Sequence, residues 1–371
     1  MIVAGQDRIT AASYDFSGRR LATCSADHTV KVFDKSNDNW VLNDSWRAHD
    51  AAVTSVSWAG PQYAPLLVSS SHDCTVKIWE EVQDESFESS KRWRRKHTFT
   101  DFQGPVYACQ FNPLGAQLQL AAVAADGILR VYESTDPGNL ASWSQTTELP
   151  LLNRPVARQL QSSFALSWAP TPSFMNWLAV AALDDAIILR PTNAVGATKS
   201  KYAIAADLPG HQGLVRDISW APTFGRAMGI VATACKDGNV RIFYILKEEA
   251  PELTVVKTFG GAEAKVEDEF EEEKAKETEK EKEKEKEREA GHATPDLVVL
   301  EDTTMNTDYS EKPKHVEAKL VMQSDEHNGE VWHVAWNASG SILASTGDRA
   351  ETKFWKSVFR GSYKCIAEVS Q

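Results

Sequence analysis

The chain has 371 residues, of which 42% are hydrophobic, and carries a formal net charge of −12. The negative charge argues against nonspecific binding to nucleic acid, and no run approaches the ~20 apolar residues that a membrane-spanning helix needs. The first residues lack the charged and long apolar regions of a signal peptide, so we expect a cytosolic or nuclear protein with no direct nucleic-acid contact and no direct membrane insertion.

Five cysteines lie far apart in the chain, mostly inside predicted strands. They are Cys24, Cys74, Cys109, Cys235 and Cys365. Because their number is odd and their spacing is not that of zinc ligands, we interpret them as small core residues in a reducing compartment.

Two markers recur along the chain and divide it into six units. The first is an aromatic residue at the end of a short strand, at Tyr14, Trp58, Phe111, Trp168, Trp220 and Trp336. The second is a turn aspartate between the next two strands, at Asp27, Asp73, Asp126, Asp184 or Asp185, Asp237 and Asp348. A period of about 40 to 45 residues, lengthened by loops and by the charged insert, indicates a propeller with four strands per blade. The sequence therefore predicts an all-β, six-bladed β-propeller that forms a single domain, residues 1–371.

The second unit, His49 to Glu81, carries the clearest pattern. Alternating apolar residues and short apolar runs bounded by turn residues predict three strands in it. A histidine at its start, a serine and an aspartate in its turn, and a tryptophan near its end resemble the WD repeat, in which these side chains bond one another. The expected structural tetrad is His49, Ser71, Asp73 and Trp79, with no catalytic role.

The other units keep this pattern to different degrees. The sixth has all four positions filled, and its expected tetrad is His327, Thr346, Asp348 and Trp355. The fifth keeps His211 and Asp237, whereas the first, third and fourth lack the histidine. Complete polar networks are therefore expected only in units two and six.

A candidate outer strand follows each unit. The candidates are Trp40 to Trp46, Trp93 to Phe99, Trp143 to Leu149, Tyr202 to Leu208, Val316 to Met322 and Tyr363 to Val369. Many propellers close their ring by using the N-terminal segment as the outer strand of the last blade. Here only about eight residues precede the first inner strand, Ile9 to Tyr14, and the last blade has its own outer strand. The sequence therefore predicts a propeller that is open between its first and last blades.

Two charged stretches interrupt the repeats. The run Glu277 to Glu289 places like charges at i and i+4, which opposes a helix. We expect a disordered insert, residues 247–314, within blade five, with its acidic part at 263–289. The basic cluster Lys91 to His97 is interpreted as the solvated start of an outer strand, because one short cluster is a small footprint for nucleic acid.

Motifs that carry chemistry are missing from the sequence. It has no Gly-rich phosphate loop, no metal-spaced set of histidines and cysteines, and no nucleophile with a convincing base. We expect no enzymatic activity and no cofactor.

Beyond the WD repeat, four stretches resemble the small six-bladed WD-repeat nucleoporins of the Y-shaped nuclear-pore coat. They are Ser13 to Ser36, Ser45 to Glu81, Ala125 to Trp143 and His327 to Asp348. The resemblance covers nearly all of the chain except the charged insert. The chain departs from the family in its acidic insert and around Arg349 and Ala350, where a glycine is usual.

The resemblance implies a scaffold subunit of the outer ring of the nuclear pore complex, at the nuclear envelope, in support of protein and mRNA transport. It also implies that a large α-helical nucleoporin inserts a seventh blade into the open ring and that other Y-complex subunits are partners. In some lineages similar proteins also belong to a vacuole- or lysosome-associated complex in amino-acid signalling to growth control.

We expect the sheet faces of blades one and six to form the partner interface, because an exposed apolar surface of this size marks a binding site. The expected residues are Leu21, Thr23, Val30 and Val32 on blade one, and Ile342, Ala344, Thr352 and Phe354 on blade six.

Two alternatives stay open at this point. A vesicle-coat propeller of ER-to-Golgi transport is the nearest, since that protein is a homologue of these nucleoporins. An autonomous peptide-reading WD-repeat adaptor would require a closed, stable monomer, so ring closure distinguishes it from the scaffold hypothesis.

Overall fold

The computed structural model describes residues 8–37, 39–82, 92–136, 138–152, 161–192, 201–223, 225–247, 316–358 and 362–370. Within these ranges the chain forms strands β1 to β24 and one short 3-10 helix, Pro172–Phe174. The strands form six four-stranded sheets in which neighbours run antiparallel. The predicted all-β, six-bladed propeller is confirmed.

Each sheet is one blade, and its strands follow one another along the chain. Blade one contains β1 (Ile9–Tyr14), β2 (Arg20–Ser25), β3 (Thr29–Ser36) and β4 (Asn39–Arg47). Blade two contains β5 (Val53–Trp58), β6 (Leu66–Ser71), β7 (Val76–Glu81) and β8 (Trp93–Phe99). Blade three contains β9 (Val106–Phe111), β10 (Gln119–Ala124), β11 (Ile128–Ser134) and β12 (Trp143–Pro150).

The second half of the chain repeats this order. Blade four contains β13 (Phe164–Trp168), β14 (Leu178–Ala182), β15 (Asp185–Pro191) and β16 (Tyr202–Asp207). Blade five contains β17 (Val215–Trp220), β18 (Gly229–Cys235), β19 (Val240–Lys247) and β20 (Val316–Ser324). Blade six contains β21 (Val331–Trp336), β22 (Ile342–Gly347), β23 (Glu351–Ser357) and β24 (Tyr363–Ser370).

The markers identified in the sequence lie at the observed strand ends and turns. All six predicted aromatic residues end an inner strand, and the six predicted outer strands agree with the observed ones to within about two residues at each end. The charged insert predicted at 247–314 falls between β19 and β20 of blade five, and all but Lys247 lies outside the described residues. The basic cluster enters β8 as predicted, with Trp93 buried and Arg94 and Arg95 exposed.

A shared turn connects the second and third strands of four blades. The aspartate Oδ1 accepts the backbone N–H two residues later at 2.9 to 3.1 Å, in Asp27, Asp73, Asp126 and Asp237. The residue between donor and acceptor has a positive φ, in His28, Cys74, Gly127 and Gly238. An aspartate that bonds its own backbone stabilises such a turn, which explains why this residue marks the repeat.

The core lies between blades rather than inside one sheet. The described buried residues form five hydrophobic clusters, and each joins two consecutive blades, from the pair one and two to the pair five and six. Inner strands of consecutive blades also lie side by side, as β1 with β5 and β17 with β21. In the part of the chain that the structure describes, no cluster and no comparable strand contact joins β21 to β1. The propeller is therefore open between blades six and one, and we call this space the gap.

The cysteines form no disulfide bonds, since all five are free. Among the described residues, no helix is long and apolar enough to cross a membrane, and no group of three potential ligands could hold a metal ion.

Candidate interaction site

The predicted tetrad of blade two forms a buried chain of hydrogen bonds, with one change of residue. A carboxylate can only accept, so Nδ1–H of His49 donates to Asp73 at 2.9 Å. Nε2 of His49 lies 2.8 Å from Oγ of Ser69, and the indole N–H of Trp79 donates to the same Oγ at 2.9 Å. The serine of the network is therefore Ser69, and the prediction of Ser71 was wrong.

Ser71 makes a different set of hydrogen bonds in the same turn. Its hydroxyl donates to the backbone carbonyl of Ala52 at 2.9 Å and accepts the N–H of Asp73 at 3.1 Å. The register explains the difference, because Ser69 pairs with Lys77 and thereby lies diagonally opposite Trp79 on one face of the sheet.

Blade six builds the same chain with two changes. His327 Nδ1 donates to Glu351 at 2.8 Å, and its Nε2 lies 2.6 Å from Ser345. The indole N–H of Trp355 donates to Ser345 at 2.8 Å. Ser345 and Glu351 thus replace the predicted Thr346 and Asp348 in this network.

The two displaced residues lie elsewhere in blade six. Thr346 is half-buried, and Asp348 is exposed, where its carboxylate accepts the indole N–H of Trp332. The turns of blades two and six have the same length, because Ser69 pairs with Lys77 and Ser345 with Lys353. Glu351 occupies the position of Thr75, whose hydroxyl lies 3.1 Å from Nδ1 of His49 in blade two, so the carboxylate comes from a later turn position in blade six.

The pKa shifts of the two histidines fit a structural role for these networks. Burial lowers the pKa of His49 and of His327 below the ordinary value, against the opposing effect of their carboxylate partners. Both imidazole side chains are fully buried, so neither can reach a substrate. The networks can hold the turns together and can do no acid–base chemistry.

Blade five keeps the histidine but not the carboxylate contact. His211 Nε2 lies 2.9 Å from Thr233, while Asp237 is bound by the guanidinium of Arg241 at 2.6 Å. Burial and the nearby Arg241 lower the pKa of His211 to about 4. An arginine four residues after the turn aspartate thus replaces the histidine as its partner, as Arg130 does beside Asp126 in blade three.

The sheet of blade one has one face toward blade two and one toward the gap. On the first face, Val30 and Val32 are fully buried in the cluster shared with blade two. Their predicted place in the interface was therefore wrong, because alternation turns them away from the gap. Leu21 and Thr23 have the opposite orientation and face the gap, but both are buried, with 6% and 7% of their surface exposed.

The gap face of blade one carries a continuous apolar row. Directly paired residues share a face, and the pairings run from Tyr14 to Leu21, to Phe33 and to Leu42. Tyr14 and Leu42 are 59% and 49% exposed. The equivalent row of blade two, which begins at Trp58, packs on blade one.

Blade six presents the complementary wall. Leu343 and Trp355 pack on blade five, so the residues that alternate with them along β22 and β23 face the gap. These include the four predicted residues, all half-buried: Ile342, Ala344, Thr352 and Phe354. The row across the sheet runs Ala335, Ala344, Phe354 and Ala367.

Sequence reasoning missed several exposed apolar residues at the gap. They are Tyr14 and Leu42 on blade one, and Val369 on the outer strand of blade six, where it pairs with Thr352. Tyr14 carried a usable signal, because it occupies the repeat position at which other blades place a buried aromatic residue.

Comparisons with known proteins agree with this architecture. The model of the WD domain, G-beta repeat, matches residues 2–34, 40–80, 203–243 and 318–356. Nucleoporin SEH1 of Saccharomyces cerevisiae is 38% identical, with 98% of this chain and 97% of the relative covered. Nucleoporin seh1 of Schizosaccharomyces pombe is 35% identical (98% and 94% covered), and human nucleoporin SEH1 is 32% identical (97% and 84% covered).

Proposed function

The chain belongs to the SEH1 family of WD-repeat nucleoporins, a non-enzymatic family, and on this premise we propose that it is a scaffold subunit of the nuclear-pore outer ring whose gap receives a seventh blade from a large α-helical nucleoporin. In this role it contributes to the Y-complex at the nuclear envelope and thereby to transport of protein and mRNA. Other Y-complex subunits are its further partners.

The observation that supports this proposal is that, among the described residues, no apolar cluster joins blade six to blade one. Five junctions between blades are filled by apolar clusters, whereas the walls of the gap leave Tyr14, Leu42 and Val369 exposed. Exposed apolar surface of this kind marks a protein interface. An occupant with the architecture of a blade would continue the packing that the five observed junctions already use.

The energetics favour a permanent complex. Burying apolar surface stabilises by ~25 cal/mol per Å², before the costs of association. The walls are antiparallel sheets with alternating side chains, so a partner strand set can interdigitate with them as one blade does with the next. We therefore expect the lone chain to be less stable than the complex.

A second assembly would use the same gap. A helical subunit of a vacuole- or lysosome-associated complex in amino-acid signalling could supply the blade in place of the nucleoporin. Since one gap holds one blade, the two partners would compete, and their complexes with this chain would be mutually exclusive.

The peptide-reading alternative is disfavoured by the same observation. It requires a ring closed by the chain's own strands, whereas no described contact of that kind joins β21 to β1. The vesicle-coat alternative is disfavoured because the similar proteins from both yeasts and from human are named nucleoporins.

The test is co-expression of this chain with the N-terminal strand-forming segment of a helical nucleoporin from the same organism, called the segment below. Light scattering should show a one-to-one complex, and thermal unfolding should occur at a higher temperature than for the lone chain. A lone chain that is a stable monomer and ignores the segment would overturn the proposal.

A matched pair of variants locates the binding site. Leu42 and Ile204 are both exposed aliphatic residues on outer strands, 49% and 59% exposed, but only Leu42 faces the gap. We expect Leu42→Glu to weaken binding of the segment about tenfold or more, because a charge would be buried. Ile204→Glu, on blade four, should leave the dissociation constant unchanged.

A further inference from the structure

A hydrogen bond between neighbouring blades recurs at the ends of the inner strands. In blades two, four and six the terminal residue is a tryptophan whose indole N–H donates to a backbone carbonyl of the preceding blade. The pairs are Trp58 to Ser13 at 3.0 Å, Trp168 to Gln110 at 3.0 Å and Trp336 to Ser219 at 3.2 Å. The acceptor is always the residue just before the last residue of the preceding inner strand.

The other two junctions show what the bond requires. Blade three ends its inner strand with Phe111, which has no donor, and the indole N–H of Trp220 in blade five is buried without a partner in the structure. The bond is therefore optional. Where it forms, it always runs from a blade to the equivalent carbonyl of the blade before it.

At the gap, one acceptor position and one donor position of this series have no neighbouring blade to bond. Ala335 precedes the last residue of β21, so its carbonyl is the position that a following blade would bond. Tyr14 ends β1 and occupies the position of the donor toward a preceding blade. Within the described ranges, no side chain bonds the carbonyl of Ala335, and the hydroxyl of Tyr14 has no partner, although its ring lies 5.8 Å from that of Trp40.

Resting on the proposed function, we infer that the inserted blade continues this series in both directions. Its inner strand ends in a tryptophan whose indole N–H donates to the carbonyl of Ala335. The hydroxyl of Tyr14 in turn donates to the main-chain carbonyl one residue before that tryptophan. The partner is thus recognised as a blade of the same kind, with its tryptophan-ended strand innermost.

The physical role of the two bonds is to set the register. The rows on both walls carry no polar group that could bond a partner strand except the hydroxyl of Tyr14, and apolar packing is not directional. A slip of one residue would reverse the faces of every partner strand. Two directional bonds at the same end of the inner strand select one register.

The experiment uses the complex with the segment. Each tryptophan of the segment is changed to phenylalanine in turn, and Tyr14→Phe is made in this chain, with Tyr63→Phe in a blade-two loop as the matched control. Loss of one neutral hydrogen bond should weaken binding about 3- to 10-fold. We expect this loss for one segment tryptophan and for Tyr14→Phe, and none for Tyr63→Phe.

The outcomes separate this inference from the proposed function. If the segment does not bind the unaltered chain, the proposed function fails before the variants are read. If the segment binds with unchanged affinity after every tryptophan change, or if Tyr14→Phe behaves like Tyr63→Phe, the paired bonds are refuted while the scaffold function stands.

Discussion

A single hydroxyl joins the histidine and the tryptophan in each complete network. In blade six, Ser345 donates to His327 and accepts from Trp355, so it satisfies two buried groups at once. An unpaired buried group costs the full desolvation penalty. The serine is therefore the residue whose loss affects the network most.

Ser345→Ala tests this assignment. We expect the free energy of unfolding to fall by about 1–3 kcal/mol, because the imidazole Nε2 and the indole N–H both lose their partner. Thr346→Val is the control, since Thr346 is half-buried on the other face and makes no described side-chain bond. Its effect should stay within about 0.5 kcal/mol. Equal losses in urea unfolding of the two variants would contradict the assignment of Ser345 to the network.

The turn residue of blade six is strained in a way that glycine would relieve. Ala350 has φ of +56°, the left-handed region in which a side chain costs about 1–2 kcal/mol. Glycine adopts this conformation without that cost, so Ala350→Gly should raise the unfolding free energy by about 1 kcal/mol. Ala338→Gly, at an exposed loop position of the same blade without positive φ, should not stabilise.

At the scale of the strand, the sequence predicted where strands and turns lie along the chain better than it predicted which face of a sheet each side chain occupies. The aromatic residues at Trp58 and Trp336 and the turn aspartates follow from local chemistry, so their places could be read directly. The faces depend on which neighbour each sheet packs against. Val30 and Thr23 both belong to apolar or small-residue runs, and only the packing of blade one on blade two separates them.

The network serine shows the same limit. Blade two offers serine at 69, 70 and 71, and only the pairing of β6 with β7 places Ser69 beside Trp79. In both complete networks the serine lies ten residues before the tryptophan, as Ser345 does before Trp355. That spacing would have identified it from the sequence.

A pair of truncations distinguishes the two faces of the terminal blades. Val32→Ala should lower the stability of the lone chain by about 2 kcal/mol, because Val32 is fully buried between blades one and two. Phe354→Ala should cost the lone chain less, because Phe354 is half-buried at the gap, and should weaken binding of the segment. Urea unfolding and titration with the segment give the two readouts. If Val32→Ala impaired binding more than Phe354→Ala, the assignment of the faces would be reversed.

At the scale of the molecule, the contacts that stabilise the lone chain lie between neighbouring blades, whereas the contacts that would bind a partner lie at the gap. Five apolar junctions hold the blades together, and each blade pairs only its own strands. Stability is therefore distributed along a chain of neighbour contacts with two free ends. Blades one and six, which each lack one neighbour, should exchange their amide hydrogens faster than blades three and four until a partner fills the gap.

The pH dependence of folding follows from histidines that the propeller keeps neutral. Burial lowers the pKa of His49, His327 and His211, the last to about 4, while an unfolded histidine titrates near 6.5. Below pH ~6.5 the unfolded chain therefore binds protons more readily, so the unfolding free energy falls as the pH drops from about 6.5 toward 4. His333 opposes this, because Asp217 raises its pKa, but its side chain is mostly exposed and solvent weakens the effect.

His211→Gln isolates the largest contribution. The amide can still bond Thr233 but cannot titrate, so the variant should lose less stability than the unaltered chain between pH 7 and pH 5. Urea unfolding at both pH values gives the comparison, and it should be made above pH ~4.5, where the aspartates remain ionised. An equal loss in both proteins would mean that the pKa of His211 is the same in the folded and the unfolded chain, and the low pKa assigned to its position between the buried Thr233 and Arg241 would then be wrong.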